Sequence, residues 1–233
     1  MQKKSRVKDQ FYDDKIVLKP WGYEYTLFRI QNEFRVILVN IKYKKNTSLH
    51  CHPSKKTGFI ILDGNAKVQL GIYAFNKKIY KPLTTLVLRQ GLYHSLKSVS
   101  KSGLYALEFE FPGNKDDLLR FKDSYGREKM NYEGKKSTKL NNFFRFEKLN
   151  SEDQSFTFKD KKIEIIQIRK KNDIKKISNL SSICILRGTI TNKKKLVAVN
   201  AGEIMLGKTL LIFLKKFGLQ NSKTLLIMSV KNI

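Results

Sequence analysis

The chain of 233 residues contains three histidines, and their spacing lets one metal ion take all of them. His50 and His52 stand in T-S-L-H-C-H-P, and His94 follows in G-L-Y-H behind a second β-like run. Successive side chains on a strand alternate between faces, so positions i and i+2 point the same way. His50 and His52 can therefore chelate together, with His94 arriving from a neighbouring strand. Three neutral imidazoles with open coordination positions suit a divalent ion such as Zn²⁺, Mn²⁺, Ni²⁺ or Fe²⁺. Cys51, between two histidines, should face the other way and read as a small buried residue.

Further groups are candidates for work beside such an ion. The strand-like G-L-Y-A-L-E-F-E-F (103–111) puts Tyr105, Leu107, Phe109 and Phe111 on one face and Leu104, Ala106, Glu108 and Glu110 on the other. Glu108, nearer the strand centre, is the candidate general base; the competing reading is a solvated outer face on which glutamate offsets lysine. Lys56 is placed to neutralise a substrate phosphate or is simply solvated. Tyr125 and Arg127, flanking a glycine turn in D-S-Y-G-R-E, make either a sugar or phosphate clamp or a structural cap on the barrel. Trp21, the single tryptophan, is read as a core plug or as a stacking platform.

The elements that must position these residues are short. Runs at 34–43, 57–64, 66–71, 85–91 and 103–111 are rich in Val, Ile, Phe and Tyr and end in Gly, Pro, Asn or Lys turns, as in an antiparallel sandwich or barrel. A short helix is expected at 114–122, with Asn114 as a cap. The polar stretch 134–142 reads as a boundary, dividing a metal-binding domain (1–134) from a second β domain (135–233). In the latter, strands are expected at 162–169, 182–190, 201–207, 209–215 and 224–230. I-I-L-D-G at 60–64 is echoed by C-I-L-R-G at 184–188, so the halves look like a weak repeat whose second copy has no histidine.

These motifs resemble the cupin superfamily, whose first motif has H-x-H followed at a fixed distance by glycine (here Gly64) and whose second has G-x-x-H (here Gly91 to His94). The resemblance implies an all-β fold: a double-stranded β-helix (jelly roll) with the metal inside, followed by a degenerate cupin-like β domain, making a bicupin. The usual motif glutamate should fall at Lys56 or Thr57, and neither is a carboxylate. K-P-W-G-Y-E (19–24) is similar to the entry strand of the type II phosphomannose isomerase cupin domain. With D-S-Y-G-R-E it also resembles small cupins of bacterial surface-polysaccharide gene sets. That likeness implies a metal-dependent isomerase or epimerase acting on an anionic sugar phosphate or nucleotide sugar. Two alternatives stand: a three-His iron dioxygenase of the thiol dioxygenase type, and a non-catalytic sugar-binding or regulatory cupin. A homodimer is a family expectation.

Composition bounds the rest. The net charge is +27, but the lysines are spread along the chain and arginine, the better reader of bases and phosphates, is scarce. Nucleic acid is therefore disfavoured as a partner, and the charge reads as coding bias or as attraction for an anionic small molecule. No apolar run is long enough to span a bilayer, so no membrane partner is expected. The N-terminus lacks the apolar core of a signal peptide. Two cysteines give no disulfide framework, and a reducing cytoplasm is the expected compartment.

Overall fold

The computed structural model describes residues 13–129, 137–139, 145–146, 153–218 and 224–233. The first unit contains β1 (Lys15–Lys19), β2 (Gly22–Ile30), β3 (Phe34–Ile41), β4 (Leu49–Cys51), β5 (Lys56–Asp63), β6 (Ala66–Leu70), β7 (Lys77–Tyr80), β8 (Thr85–Leu88), β9 (His94–Ser98), β10 (Leu104–Phe111), β11 (Leu119–Lys122) and β12 (Ser137–Lys139). They form a seven-stranded sheet, β12-β1-β2-β3-β10-β5-β8, and a five-stranded one, β11-β4-β9-β6-β7. Every pairing is antiparallel. The chain crosses repeatedly between the two sheets, as in a jelly roll.

The long apolar runs of the seven-stranded sheet follow from burial on both faces. Ile37, Val39, Phe59, Ile61 and Ala106 point into the barrel, where they pack with Val68, Leu88 and Leu96. Val36, Leu38, Ile60, Leu62, Leu107 and Phe109 point outward and are buried just as fully, against the second unit.

That unit contains β13 (Gln154–Phe158), β14 (Lys161–Ile168), a 3-10 turn (Lys171–Lys176), β15 (Ser182–Arg187), β16 (Ile190–Thr191), β17 (Val197–Val199), β18 (Ile204–Leu206), helix α1 (Gly207–Phe217) and β19 (Leu225–Asn232). Its five-stranded antiparallel sheet runs β13-β14-β19-β15-β18, and β16 and β17 form a separate hairpin. One face, with Ile163, Ile165, Cys184, Leu186, Met228 and Val230, packs on the outer face of the barrel. The other face, with Ile166, Ile168, Ile183, Ile185 and Ile227, lies under α1, the 3-10 turn and the hairpin. This second unit, which has no histidine in its sequence, carries a helix and a hairpin over the far side of its one large sheet.

Two local expectations are corrected. Residues 209–215 are helical rather than a strand: Leu210 and Leu214, four apart, are buried on one helix face, and Gly218 at φ 75° ends the helix. A continuous apolar run carries no period, so strand and helix read alike there. The segment 114–122 is a turn followed by β11, not a helix. Asn114 does act locally, its Oδ1 accepting from the Asp116 N–H at 3.0 Å, but the chain then pairs with β4. Of the polar stretch 134–142, residues 137–139 form β12 against β1, and the rest lies outside the described residues, as does most of the N-terminal stretch.

Candidate metal centre and cavity

The three histidines converge inside the barrel. His50 on β4 stands directly opposite His94 on β9 in antiparallel register, and His52 follows two residues on. One nitrogen from each ring lies within 4.8 Å of the others, and the ring centroids are 4.5 to 5.4 Å apart.

Their second nitrogens are fixed by the backbone. His50 Nδ1 is 2.9 Å from the Ser48 carbonyl, His52 Nδ1 2.6 Å from the Asp117 carbonyl, and His94 Nδ1 3.0 Å from the Leu92 carbonyl. A carbonyl only accepts, so each Nδ1 carries the proton and each Nε2 presents a lone pair to the common centre. Nε2 of both His52 and His94 is buried without a hydrogen-bond partner. Burial, reinforced by neighbouring imidazoles and Lys55, holds all three rings below the usual histidine range, His94 at about 4. Three neutral imidazoles with Nε2 atoms turned to one centre, two of them buried without a partner, match the donor set of a divalent metal ion.

The opposite wall is acidic. Glu108 and Glu110 enter from β10, and Glu24 from β2, so the even face of 103–111 is the cavity wall and not a solvated surface. Strand β10 does not neighbour His94; it belongs to the facing sheet, and its carboxylates reach the histidines across the barrel. Glu108 Oε1 lies 3.9 Å from His52 Nε2. Thus the carboxylate absent from the H-x-H segment has a spatial counterpart on another strand. Burial and then the neighbouring Glu110 push the Glu108 carboxyl well above the ordinary range.

Two buried lysines balance this wall. Lys55 Nζ pairs with Glu110 and donates to the Asn114 carbonyl at 2.9 Å, while Lys115 Nζ sits 3.1 Å from Glu24 Oε1. Burial raises the Glu110 carboxyl, but Lys55 and Lys115 outweigh it and leave it lowered. Burial likewise opposes a charge on Lys115, yet Glu24 and Glu110 prevail and keep the ammonium protonated. Asp117 shapes the loop between the histidines and β5. Its carboxylate accepts from the Ser54 and Lys55 N–H groups at 3.1 and 2.9 Å, and its carbonyl orients His52.

Together these groups line a cavity of about 660 Å³, its open mouth included. The other predicted site residues divide. Arg127 lines the cavity, with its guanidinium on the Asp123 carboxylate at 2.6 and 2.9 Å. Tyr125 packs against the barrel core, and its hydroxyl accepts from the Asn46 N–H at 3.3 Å. Lys56 leaves the cavity altogether; its Nζ lies 2.5 Å from Glu203 of the second unit. Strand alternation explains the exchange, because Lys55 and Lys56 lie on opposite sides of the chain. Trp21 is buried in the barrel core, as a plug would be, and also lines the cavity. Sequence reasoning passed over Glu24, Lys55, Lys115 and Arg120. Glu24 was within reach as the last residue of K-P-W-G-Y-E. Arg120 was hidden by the expected helix; it pairs in register with His50 and lines the cavity.

No protein-family model matches the chain. It is 30% identical over 117 residues to the xanthan biosynthesis protein XanB of Xanthomonas campestris, covering 48% of this chain and 23% of that protein. It is 27% identical over 117 residues to a mannose-1-phosphate guanylyltransferase of Escherichia coli K12, with the same coverage. The chain thus spans about a quarter of the length of these curated relatives. Among solved structures, the capsular polysaccharide assembling protein CapF of Staphylococcus aureus covers 46% of this chain and 34% of its own, at 11% identity and a TM-score of 0.41. The two crossing antiparallel sheets, with the H-x-H and G-x-x-H strands meeting between them, give the N-terminal half of this chain the jelly roll and histidine arrangement that its resemblance to the cupin superfamily implies.

Proposed function

We propose that this protein binds one divalent metal ion through His50, His52 and His94 and isomerises or epimerises a sugar phosphate or nucleotide sugar for cell-surface polysaccharide synthesis. The observation that carries the reading is the set of carbonyl-oriented imidazoles facing carboxylates across one cavity. The names of the curated relatives, one in xanthan biosynthesis and one acting on mannose 1-phosphate, support the substrate class. When bound, the ion would supply Lewis-acid polarisation of a substrate carbonyl or hydroxyl oxygen.

The chain's own residues do the rest. Glu108, the carboxylate nearest the imidazoles, takes the proton from the carbon next to the carbonyl and returns it to the former carbonyl carbon, while the neighbouring hydroxyl proton passes to the former carbonyl oxygen. In an epimerisation a second acid on the opposite face gives the proton back instead. No electrons leave the substrate, so no further reactant is needed. Lys55 and Lys115 pair with Glu110 and Glu24 and hold these carboxyl groups in place. Arg120 and Arg127 offer guanidinium groups to the substrate phosphate. Chemistry is thereby assigned to residues 1–134, with 135–233 acting as the support of the barrel.

Proton transfer to carbon can be read directly. The metal-loaded protein, incubated in D₂O with a panel of hexose phosphates and nucleotide sugars, should place deuterium on the carbon beside the carbonyl of one of them. Glu108→Gln should keep the metal and lose this exchange by about 10²-fold or more. Absence of exchange across the panel at full metal occupancy would leave the non-catalytic binding alternative. The dioxygenase alternative rests on an all-imidazole surround, and Glu108 beside His52 weighs against it.

A further inference from the structure

The molecule is a stack of layers. The five-stranded barrel sheet is followed by the seven-stranded sheet, the C-terminal sheet and finally α1 with the 3-10 turn and the β16–β17 hairpin. This last layer is an end face, separated from the cavity by two sheets. Its charge is lopsided. Residues 169–218, which also take in β15 and β18, carry twelve Lys or Arg against two acids, Arg187 among the twelve turning to Glu33 of the barrel, whereas the barrel, residues 13–129, carries 21 against 11. Of the two acids, Glu203 turns to Lys56 on the barrel and Asp173 caps the 3-10 turn. Lys193, Lys194 and Lys195 form the exposed hairpin turn, and Lys215 and Lys216 close α1.

Large apolar side chains stand exposed in the same layer. Leu180 is 82% exposed, Leu196 64%, Ile212 63% and Val197 59%. They come from three separate elements: the loop before β15, the hairpin and the middle of α1. Lysine alone suits any polyanion, but exposed aliphatic side chains gain nothing against a phosphate backbone in water. They gain by entering a hydrocarbon boundary while flanking ammonium groups meet anionic head groups.

We propose that this face docks the protein peripherally on an anionic lipid bilayer. The contact is surface attachment and not insertion: no helix among the described residues is long and apolar enough to cross a membrane. Docked in this way, the cavity stays on the side of the molecule remote from the lipid.

Co-sedimentation with vesicles tests this. The full chain should pellet with phosphatidylcholine vesicles containing phosphatidylglycerol at low salt, stay in solution with phosphatidylcholine alone, and be released at about 0.5 M salt, where the screening length is only a few Å. Replacing Lys193, Lys194, Lys195 and Lys215 by Glu should weaken binding at least about tenfold, since each lost lysine removes an attractive contact with the anionic surface. A matched control, Lys67→Glu, Lys77→Glu, Lys78→Glu and Lys97→Glu on the five-stranded sheet at the other end of the stack, should leave binding within about twofold. L196S with I212S, which changes no charge, should weaken it about threefold or more. Circular dichroism and metal content, unchanged in all variants, confirm folding. Failure to pellet with anionic vesicles overturns the proposal, as does equal weakening by the two lysine sets, which would mean diffuse attraction. Indifference to L196S/I212S, together with duplex-DNA binding that falls with the lysine variant, would assign the face to a nucleic acid instead.

Discussion

At the scale of single residues, the centre depends on atoms that are not themselves ligands. The Asp117 carbonyl sets the His52 tautomer, and its carboxylate ties down the N–H groups of Ser54 and Lys55. Removing such a support typically costs about 10–100-fold in metal affinity. Asp117→Ala keeps the backbone carbonyl but releases the loop that positions it, so metal binding should weaken by no more than that amount in a competitive chelator titration, with His50, His52 and His94 unchanged. Asp123 makes a separate, pH-dependent contribution. Burial raises its carboxyl, but hydrogen bonds from the Arg127 side chain and backbone outweigh this and hold it below the usual range. A carboxyl with a lowered folded-state pKa stabilises above its unfolded value of about 3.9 and loses that contribution as pH falls through the folded value. The urea midpoint of Asp123→Asn should accordingly lie below that of the wild type at pH 7, with the gap narrowing at pH values under about 4.

At the scale of elements, the motif glycines do different things. Gly64 has φ 74°, and a Cβ there would collide with the Gly103 carbonyl oxygen where the β5–β6 turn meets the start of β10. Gly91 has φ 72° with open space where its Cβ would go. Gly91→Ala should cost only the left-handed backbone penalty of about 1–2 kcal/mol, and Gly64→Ala distinctly more, as read from urea midpoints. The barrel elements were legible because their residues alternate or run apolar between turns, and the histidine pair and G-x-x-H announce themselves by spacing. Glu108 and Glu110 could be put on one face by parity. That the face was inward depended on β10 pairing with β3 and β5. Helix α1 was not legible, because T-L-L-I-F-L-K satisfies strand and helix alike until the sheet beneath it is known. Lys56 was mistaken for its neighbour because one residue of register exchanges the cavity for the interface.

At the scale of the whole molecule, the two halves share a core. Leu107 and Phe109 of the barrel sheet are buried with Met228 and Val230 of the second sheet. Gly58 lets the Ile204 side chain lie against β5, where any Cβ would displace it. Ser182 Oγ donates to the Leu83 carbonyl at 2.6 Å, and Arg187 holds Glu33 through two 2.7 Å contacts. Parting the halves would expose the outer face of the seven-stranded sheet, so they should unfold together. Met228→Ala should cost about 2–5 kcal/mol and shift a single urea transition, with metal release and loss of β-sheet ellipticity moving to the same lower midpoint. Sequence alone suggested two units; the shared core became visible only when strand faces could be assigned.

The account turns on the three imidazoles holding an ion. Elemental analysis of protein purified without added metal, then saturated with Zn²⁺, Mn²⁺, Ni²⁺ or Fe²⁺ and dialysed, measures this directly. We expect one tightly held divalent ion per chain in the wild type and loss of that ion in His94→Ala, with the fold intact by circular dichroism. A wild-type protein that retains no ion under any of these conditions, or a His94→Ala variant that retains it fully, would contradict the account.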